Sequence, residues 1–396
     1  MSKKTILIIC RNHLSKAPRF LMEVNALCSD YKIVAAGLTA DNHENYSFFS
    51  LNPYNSEHFK NIKFHLKYPF LLKKIISAFL KIFYYKNVIK QISKSEFEML
   101  KEINFDLIIV HHLTDLPLAV KLAKYKNVKL IFNAHEYYPL EFDDNPDWMK
   151  NVYPSYMKIA KKHFKHVEIC FCVGEIIAKK YEKEFNLNSI VITNSKIFCD
   201  LYPKPISSKI RLIHHGIANR SRKIELMIDM MKYLNDNYTL DLMLVSNSID
   251  YIKELKLLAS DYSNINFIEP VQLNEIPSFT NNYDIGVFLL PPTNFNYSFA
   301  LPNKFFEFIQ ARLAIAIGPS PEMASFVNKY ELGIVADDFT SKSLAEKIKK
   351  LSFDQIMFHK IQSHRYADVL SLNHNLILIK NTVKELLLKE ECICVG

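Results

Sequence analysis

Lys304 and Glu307 stand three residues apart directly after Pro302 and Asn303, and residue types in this order can hold a phosphorylated sugar. Proline suits the first turn of a helix, where its missing N–H leaves no bond unmade, so residues 299–311 read as a loop entering a helix. Lys304 and Glu307 then share one helix face. A helix N-terminus carrying a lysine attracts phosphate, and a carboxylate one turn further on can accept from two sugar hydroxyls. Diphosphate plus ribose is the natural ligand, with Asn303 in the same turn as a further donor-binding candidate. An ordinary surface ion pair has the same spacing, so the segment needs support from elsewhere in the chain.

Two other stretches supply candidates. Gly216 closes the apolar run at 210–215, and a glycine after a strand lets backbone pass close to a ligand. Arg220, Arg222 and Lys223 follow, and basic residues there can hold a diphosphate. In the first half His135 comes directly after the run 129–133, which puts it at the carboxyl edge of a strand. His111 and His112 end another run, and since neighbouring strand residues point to opposite faces, at most one of them, His112, is expected in an acceptor pocket. Asn12 and Arg19, in the loop after the first run, offer an amide and a charge to acceptor or phosphate.

These residues need strands and helices to bring them together. Short runs rich in Ile, Val and Leu recur at 5–10, 31–36, 107–111, 129–133, 169–173 and 190–193, then at 210–214, 241–245, 265–268, 285–289, 314–317 and 333–335. Helical stretches separate them, as in a parallel sheet covered on both faces. At 396 residues the chain is too long for one ordinary core and about right for two. The expected fold class is α/β, with two Rossmann-like domains facing a cleft. Tyr202-Pro203-Lys204-Pro205 tolerates neither helix nor central strand, so the linker is placed at 203–209, between domains at 1–202 and 210–372. Residues 341–351 read as an amphipathic helix introduced by Thr340 and Ser341, and residues 373–396 as a closing helix that packs back on the first domain.

Composition narrows the partners. The balance of 49% hydrophobic and 23% charged residues is that of a soluble globular protein. The net charge of +9 is spread as lysine along the chain, without an arginine-rich arm or zinc-finger spacing, which argues against nucleic acid. Seven scattered cysteines, with Cys170/Cys172 and Cys392/Cys394 one residue apart, read as reduced thiols of a cytoplasmic protein. The run at 5–10 is too short for a signal peptide. Lysines and aromatics interleave over 67–86, a pattern that suits either a helix in an anionic membrane interface at the inner face of the cell membrane or a helix packed on the first domain. Asp337-Asp338 is adjacent rather than alternating and Asp143-Asp144 precedes a proline-containing loop, so no catalytic metal and no cofactor is expected.

The segment at 299–311, followed by Gly318-Pro319-Ser320-Pro321-Glu322 and by Gly333-Ile334-Val335-Ala336-Asp337-Asp338, resembles the donor half of GT-B glycosyltransferases, above all the retaining family 4. The resemblance implies a nucleoside diphosphate sugar as donor substrate, phosphate contact for Lys304 and ribose binding for Glu307. Arg222, six residues after Gly216, best matches the family's arginine that stabilises the departing nucleotide, with Arg220 as the alternative. Asn133-Ala134-His135-Glu136 is similar to the family's histidine-glutamate pair, whose histidine faces the transferred sugar. Val173-Gly174-Glu175 and Thr193-Asn194-Ser195 extend the likeness, while 40–100 match least. The family's first glutamate, eight residues before Glu307, is Phe299 here, which puts the sugar's identity in doubt. The acceptor implied is a glycan or lipid-linked molecule of surface polysaccharide or glycolipid assembly. Two other readings stay open: a nucleotide-sugar 2-epimerase of the same fold, and a non-catalytic nucleotide-sugar-binding subunit.

Overall fold

The computed structural model describes residues 3–41, 44–53, 93–246 and 249–391. Two parallel sheets organise them. The first, in the order β3-β2-β1-β4-β5-β6-β7, comprises β1 (Thr5–Ile9), β2 (Lys32–Gly37), β3 (Ser47–Ser50), β4 (Leu107–Val110), β5 (Lys129–Asn133), β6 (Ile169–Cys172) and β7 (Ser189–Val191). The second, β10-β9-β8-β11-β12-β13, comprises β8 (Ile210–Ile217), β9 (Tyr238–Val245), β10 (Ile265–Ile268), β11 (Ile285–Phe288), β12 (Ala314–Ile317) and β13 (Gly333–Val335). The fold is α/β with two Rossmann-like domains. Each apolar run read from the sequence forms a strand, with ends shifted by a few residues. β3 went unread because Ser47-Phe48-Phe49-Ser50 is a short, largely exposed edge strand with only two apolar residues.

Burial on both faces explains the continuous apolar runs. In β1, Leu7 and Ile9 face one core with Ile108, Val110 and Tyr181, while Ile6 and Ile8 face another with Leu107 and Ile109. Each such side chain contributes about 1.5–3 kcal/mol relative to exposure. The helix Leu372–Glu391 covers this second face, placing Ile379, Val383, Leu386 and Leu387 in the first domain's core. Lys4 and Lys129 donate through Nζ to the Leu387 and Leu386 carbonyls at 3.1 and 2.7 Å, where a helix end favours cations. The helix Phe353–Tyr366, absent from the sequence reading, starts with a capping box between Ser352 and Gln355.

Strand order reverses at β1/β4 and at β8/β11, and in doubly wound sheets the crevice beyond such switch points takes ligands. The chain crosses between domains near Lys196 and returns at Ser371, and Leu372 N donates to Lys196 O at 2.7 Å, joining the two crossings. Residues 199–204 are fastened to the second domain. The buried Arg312, with φ 60°, donates to the Leu201 carbonyl at 3.1 Å and also to Cys199 O. Asn281 Nδ2 donates to Tyr202 O at 3.0 Å, and Lys204 Nζ to Asn282 Oδ1 at 2.6 Å. Among the described residues, no helix is long and apolar enough to cross a membrane. Residues 67–86 lie outside the described residues.

Candidate functional site

Lys304 lies in the first turn of the helix Asn303–Gln310, with Pro302 as N-cap just outside the helix rather than inside its first turn. Its side chain is 5% exposed, and Nζ donates to His214 Nε2 at 3.1 Å and sits 4.3 Å from the centre of the Phe288 ring. His214 accepts there because its Nδ1–H is committed to the Val287 carbonyl at 2.9 Å. Gly216 is not in a turn after the strand. It lies within β8, paired with Leu244, at φ +116°, and a Cβ there would stand 3.4 Å from Lys304 Nζ. That backbone angle is strained for any side chain, which explains glycine beside the ammonium group. Burial, then the Arg222 guanidinium, push the Lys304 ammonium well below the ordinary lysine range, against the pull of Glu307.

Glu307 faces the same space and is 7% exposed. Its Oε1 accepts from Lys196 Nζ at 3.0 Å, a cation on the segment where the chain crosses between domains. His215 Nε2 stands 3.7 Å from Glu307 Oε2, too far for a hydrogen bond, and is buried without a partner. Burial, Lys304 and Lys196 hold His215 down at about 3, so the ring is neutral. Arg222 is half-buried and close enough to act electrostatically on Lys304 and His214. Arg220 turns outward instead, pairing with Glu254 at 2.6 Å over the Tyr251 ring. Asn303 is exposed at the helix start.

Across the cleft, His135 follows β5 and is half-buried. His111 Nδ1 lies 2.9 Å from His135 Nε2, and His111 Nε2 lies 2.7 Å from Glu23 Oε2. Asn133 Nδ2 donates to Glu23 Oε1, Arg19 Nε donates to Asn133 Oδ1 at 2.8 Å, and Arg19 also reaches the Ile192 carbonyl at 2.8 Å. Arg19 is thus engaged through Nε and Nη1, while its Nη2 is buried without a partner among the described residues. It is 5% exposed and ties Asn133 and Asn194 together from inside the domain. Asn12 is exposed. His112 shares Tyr138 Oη at 3.2 Å, leaves Nε2 without a partner, and is held down to about 4 by burial. Both histidines approach His135, with ring centres 5.2 and 5.5 Å away, because they lie past the end of β4 where strand alternation no longer applies. Sequence reasoning missed Glu23 and Lys196, and of the pair His111 and His112 it favoured His112. Glu23 is a charge set among Leu21, Met22 and Val24, which was a signal of burial.

Phe299 stands eight residues before Glu307, in the place of the expected glutamate. It packs on Phe295, whose ring lies 5.2 Å from that of Tyr137 in the first domain. Asn296 beside it accepts from Tyr137 N at 2.8 Å and donates to Tyr137 O and Leu140 O. Glu322 completes this contact by accepting from Ile176 N at the start of the helix Glu175–Phe185. A Cβ on Gly174 would come within 2.8 Å of that carboxylate, so a side chain there would make the Glu322 end shift.

No family model and no curated protein matches the chain. Solved structures do. Anabaena HepE in complex with UDP and glucose is 12% identical, with a TM-score of 0.66 over 96% of this chain and 100% of that one. Sucrose-phosphate synthase from Thermosynechococcus elongatus is 9% identical, with a TM-score of 0.73 over 97% and 99%. WaaG, a glycosyltransferase involved in lipopolysaccharide biosynthesis, is 11% identical, with a TM-score of 0.64 over 95% and 99%. The chain thus has, over nearly its whole length, the two-domain GT-B fold of these proteins.

Proposed function

We propose that the protein is a glycosyltransferase that moves a sugar from a nucleoside diphosphate sugar to a glycan or lipid-linked acceptor, with retention at the anomeric carbon. The observation that carries this reading is Lys304, buried at a helix start beside Gly216 and Arg222, with Glu307 one turn further along the same face. Lys304 and Arg222 neutralise charge growing on the leaving diphosphate, and such groups accelerate the reaction only in so far as they hold it more tightly as the bond breaks. Glu307 exchanges the Lys196 ammonium for ribose hydroxyls. His135 faces the transferred sugar. Positive charge from these side chains removes the need for a metal in this reading.

Support for the donor comes from HepE, solved with UDP and with UDP-glucose, and for a surface-glycan acceptor from WaaG. Work on such an acceptor places the protein in the cytoplasm, at the inner face of the membrane, with residues 67–86 as the contact on the strength of their lysine and aromatic pattern. A second reading, a nucleotide-sugar-binding subunit without transfer activity, is favoured by Phe299, which is committed to the domain contact where a carboxylate would bind sugar.

The test is a thermal-shift and calorimetric screen of nucleotides and nucleotide sugars. A ligand at 100 times its dissociation constant adds about 2.7 kcal/mol of stability. No shift with any nucleotide overturns both readings, and binding without transfer to any acceptor extract selects the second. Donor interconversion in the absence of acceptor would identify an epimerase. A bound diphosphate favours the charged form of Lys304, against the burial that lowers it in the free protein, so affinity measured by calorimetry across a pH series should fall as pH rises through the depressed value.

A further inference from the structure

The buried chain behind His135 has a direction. Glu23, His111 and Asn133 are each 0% exposed, so every polar hydrogen in the chain has to be accounted for by a partner. Asn133 is fixed first: its Oδ1 accepts from Arg19 Nε at 2.8 Å, so its Nδ2 must be the donor to Glu23 Oε1. The Glu23 carboxylate then accepts on both oxygens, which makes His111 Nε2 the donor at 2.7 Å. Beside the buried Cys10 thiol, which also bonds to the His111 ring, a proton has to be placed in the 2.9 Å contact between His111 Nδ1 and His135 Nε2. On His135 it would leave a neutral His111 and turn an unprotonated Nδ1 of His135 outward. On His111 it makes that ring an imidazolium and leaves His135 with Nδ1–H, a nitrogen that has no partner among the described residues.

We propose that Glu23 and His111 are positioning residues: the Glu23 carboxylate holds His111 as an imidazolium whose Nδ1–H donates to His135 Nε2, fixing His135 as a neutral Nδ1–H donor to an oxygen of the transferred sugar. This deepens the glycosyltransferase reading and rests on it for the identity of the ligand. The surrounding charges agree. Burial pulls His111 down, but Glu23 and then Cys10 outweigh it and hold the ring up at about 10. Burial followed by His111, Arg19 and His112 holds His135 well below the ordinary histidine range. A cation placed behind a neutral donor also strengthens that donor towards negative charge without placing a second acid in the cleft.

The experiment reads imidazole nitrogen shifts of the ligand-free full chain labelled with 15N-histidine, with His135 assigned by its loss in His135→Asn. Expected at neutral pH are a protonated Nδ1 and an unprotonated Nε2 on His135, and two protonated nitrogens on His111. Glu23→Gln makes a sharper demand. Asn133 holds the glutamine Oε1, the glutamine amide turns to His111 Nε2, and His111 loses that proton while His135 stays Nδ1–H. His111→Leu should lower kcat on the order of a hundredfold with little change in donor KM. His111→Asn should recover much of the loss, because Asn Nδ2 occupies the place of His Nδ1. Should His111→Leu fail to fold, His111→Asn and Glu23→Gln carry the test. A proton on His135 Nε2, or a singly protonated His111 in the unmutated protein, overturns the proposal. Since the spectra are taken without substrate, failure to find any donor would overturn the transferase reading and leave this one standing.

Discussion

The two walls of the cleft are built on different plans. The donor wall draws its main groups from one helix turn, Lys304 and Glu307, set against β8 at Gly216 and His214. The opposite wall gathers Arg19 and Glu23 from one helix, His111 from beyond β4, and Asn133 and His135 from the end of β5 and beyond. Each wall keeps a charge out of water, but with opposite consequences: Lys304 is pressed towards its neutral form, whereas His111 is held as a cation. Lys304 bonds to a neutral histidine and has no carboxylate in contact among the described residues, which leaves its charge for a ligand to complete, whereas His111 meets the Glu23 carboxylate inside its own wall.

The largest expected effect comes from removing the Lys304 charge. Lys304→Met keeps the packing on Phe288 and removes the charge, and should cut transfer on the order of a hundredfold to a thousandfold, read as kcat/KM at saturating acceptor. Unchanged activity would mean that this wall does not meet the diphosphate. Glu307→Ala comes next: two charge-assisted bonds to ribose hydroxyls are lost, and nucleotide affinity by calorimetry should weaken by about 1.5–3 kcal/mol.

Stability against pH separates the walls by sign. Lys304 binds fewer protons folded than unfolded between its depressed value and 10.5, so its share of stability rises with pH there. His111 binds more protons folded than unfolded between 6.5 and about 10, so its contribution is full below 6.5 and lost as pH climbs through that window. Urea titrations should show a steeper alkaline loss in Lys304→Met than in the unmutated protein and a shallower one in His111→Asn. Smaller again is Asn296→Ala, which frees Tyr137 N and two carbonyls at the domain contact and should cost about 1–3 kcal/mol, read as an earlier denaturant midpoint. The least is Ser352→Ala, a capping box far from either wall, at about 1 kcal/mol.

Legibility in the sequence follows the same division. Lys304 and Glu307 could be read because a helix makes neighbours of residues three apart, and the buried parallel strands because both of their faces must be apolar. Glu23 and His111 are 88 positions apart and meet only through the order in which β1, β4 and β5 line up, so no local spacing announces them. Lys196 reaches Glu307 across the domain boundary, 111 positions further along the chain by number (307 minus 196), and is invisible for the same reason. Arg19 reads as part of a loop, and the structure puts it in a helix. It is the second residue of the helix Pro18–Leu27, turned inward.

The two crossings of the chain between its domains, at Lys196 and Ser371, behave like the pins of a door. Joined by the Leu372 N to Lys196 O bond, they define one line about which the domains can swing while resisting a sideways slide. The proline-containing stretch that looks like the flexible part moves with the second domain, because Arg312, Asn281 and Asn282 hold it. Lys196 lies in the short stretch between Thr193, which accepts from Asn375 of the closing helix, and Cys199, which Gln310 and Arg312 hold to the second domain. The side chain that covers Glu307 thus sits on the crossing itself, so a change in how the two domains meet would reach the Lys196–Glu307 ion pair directly.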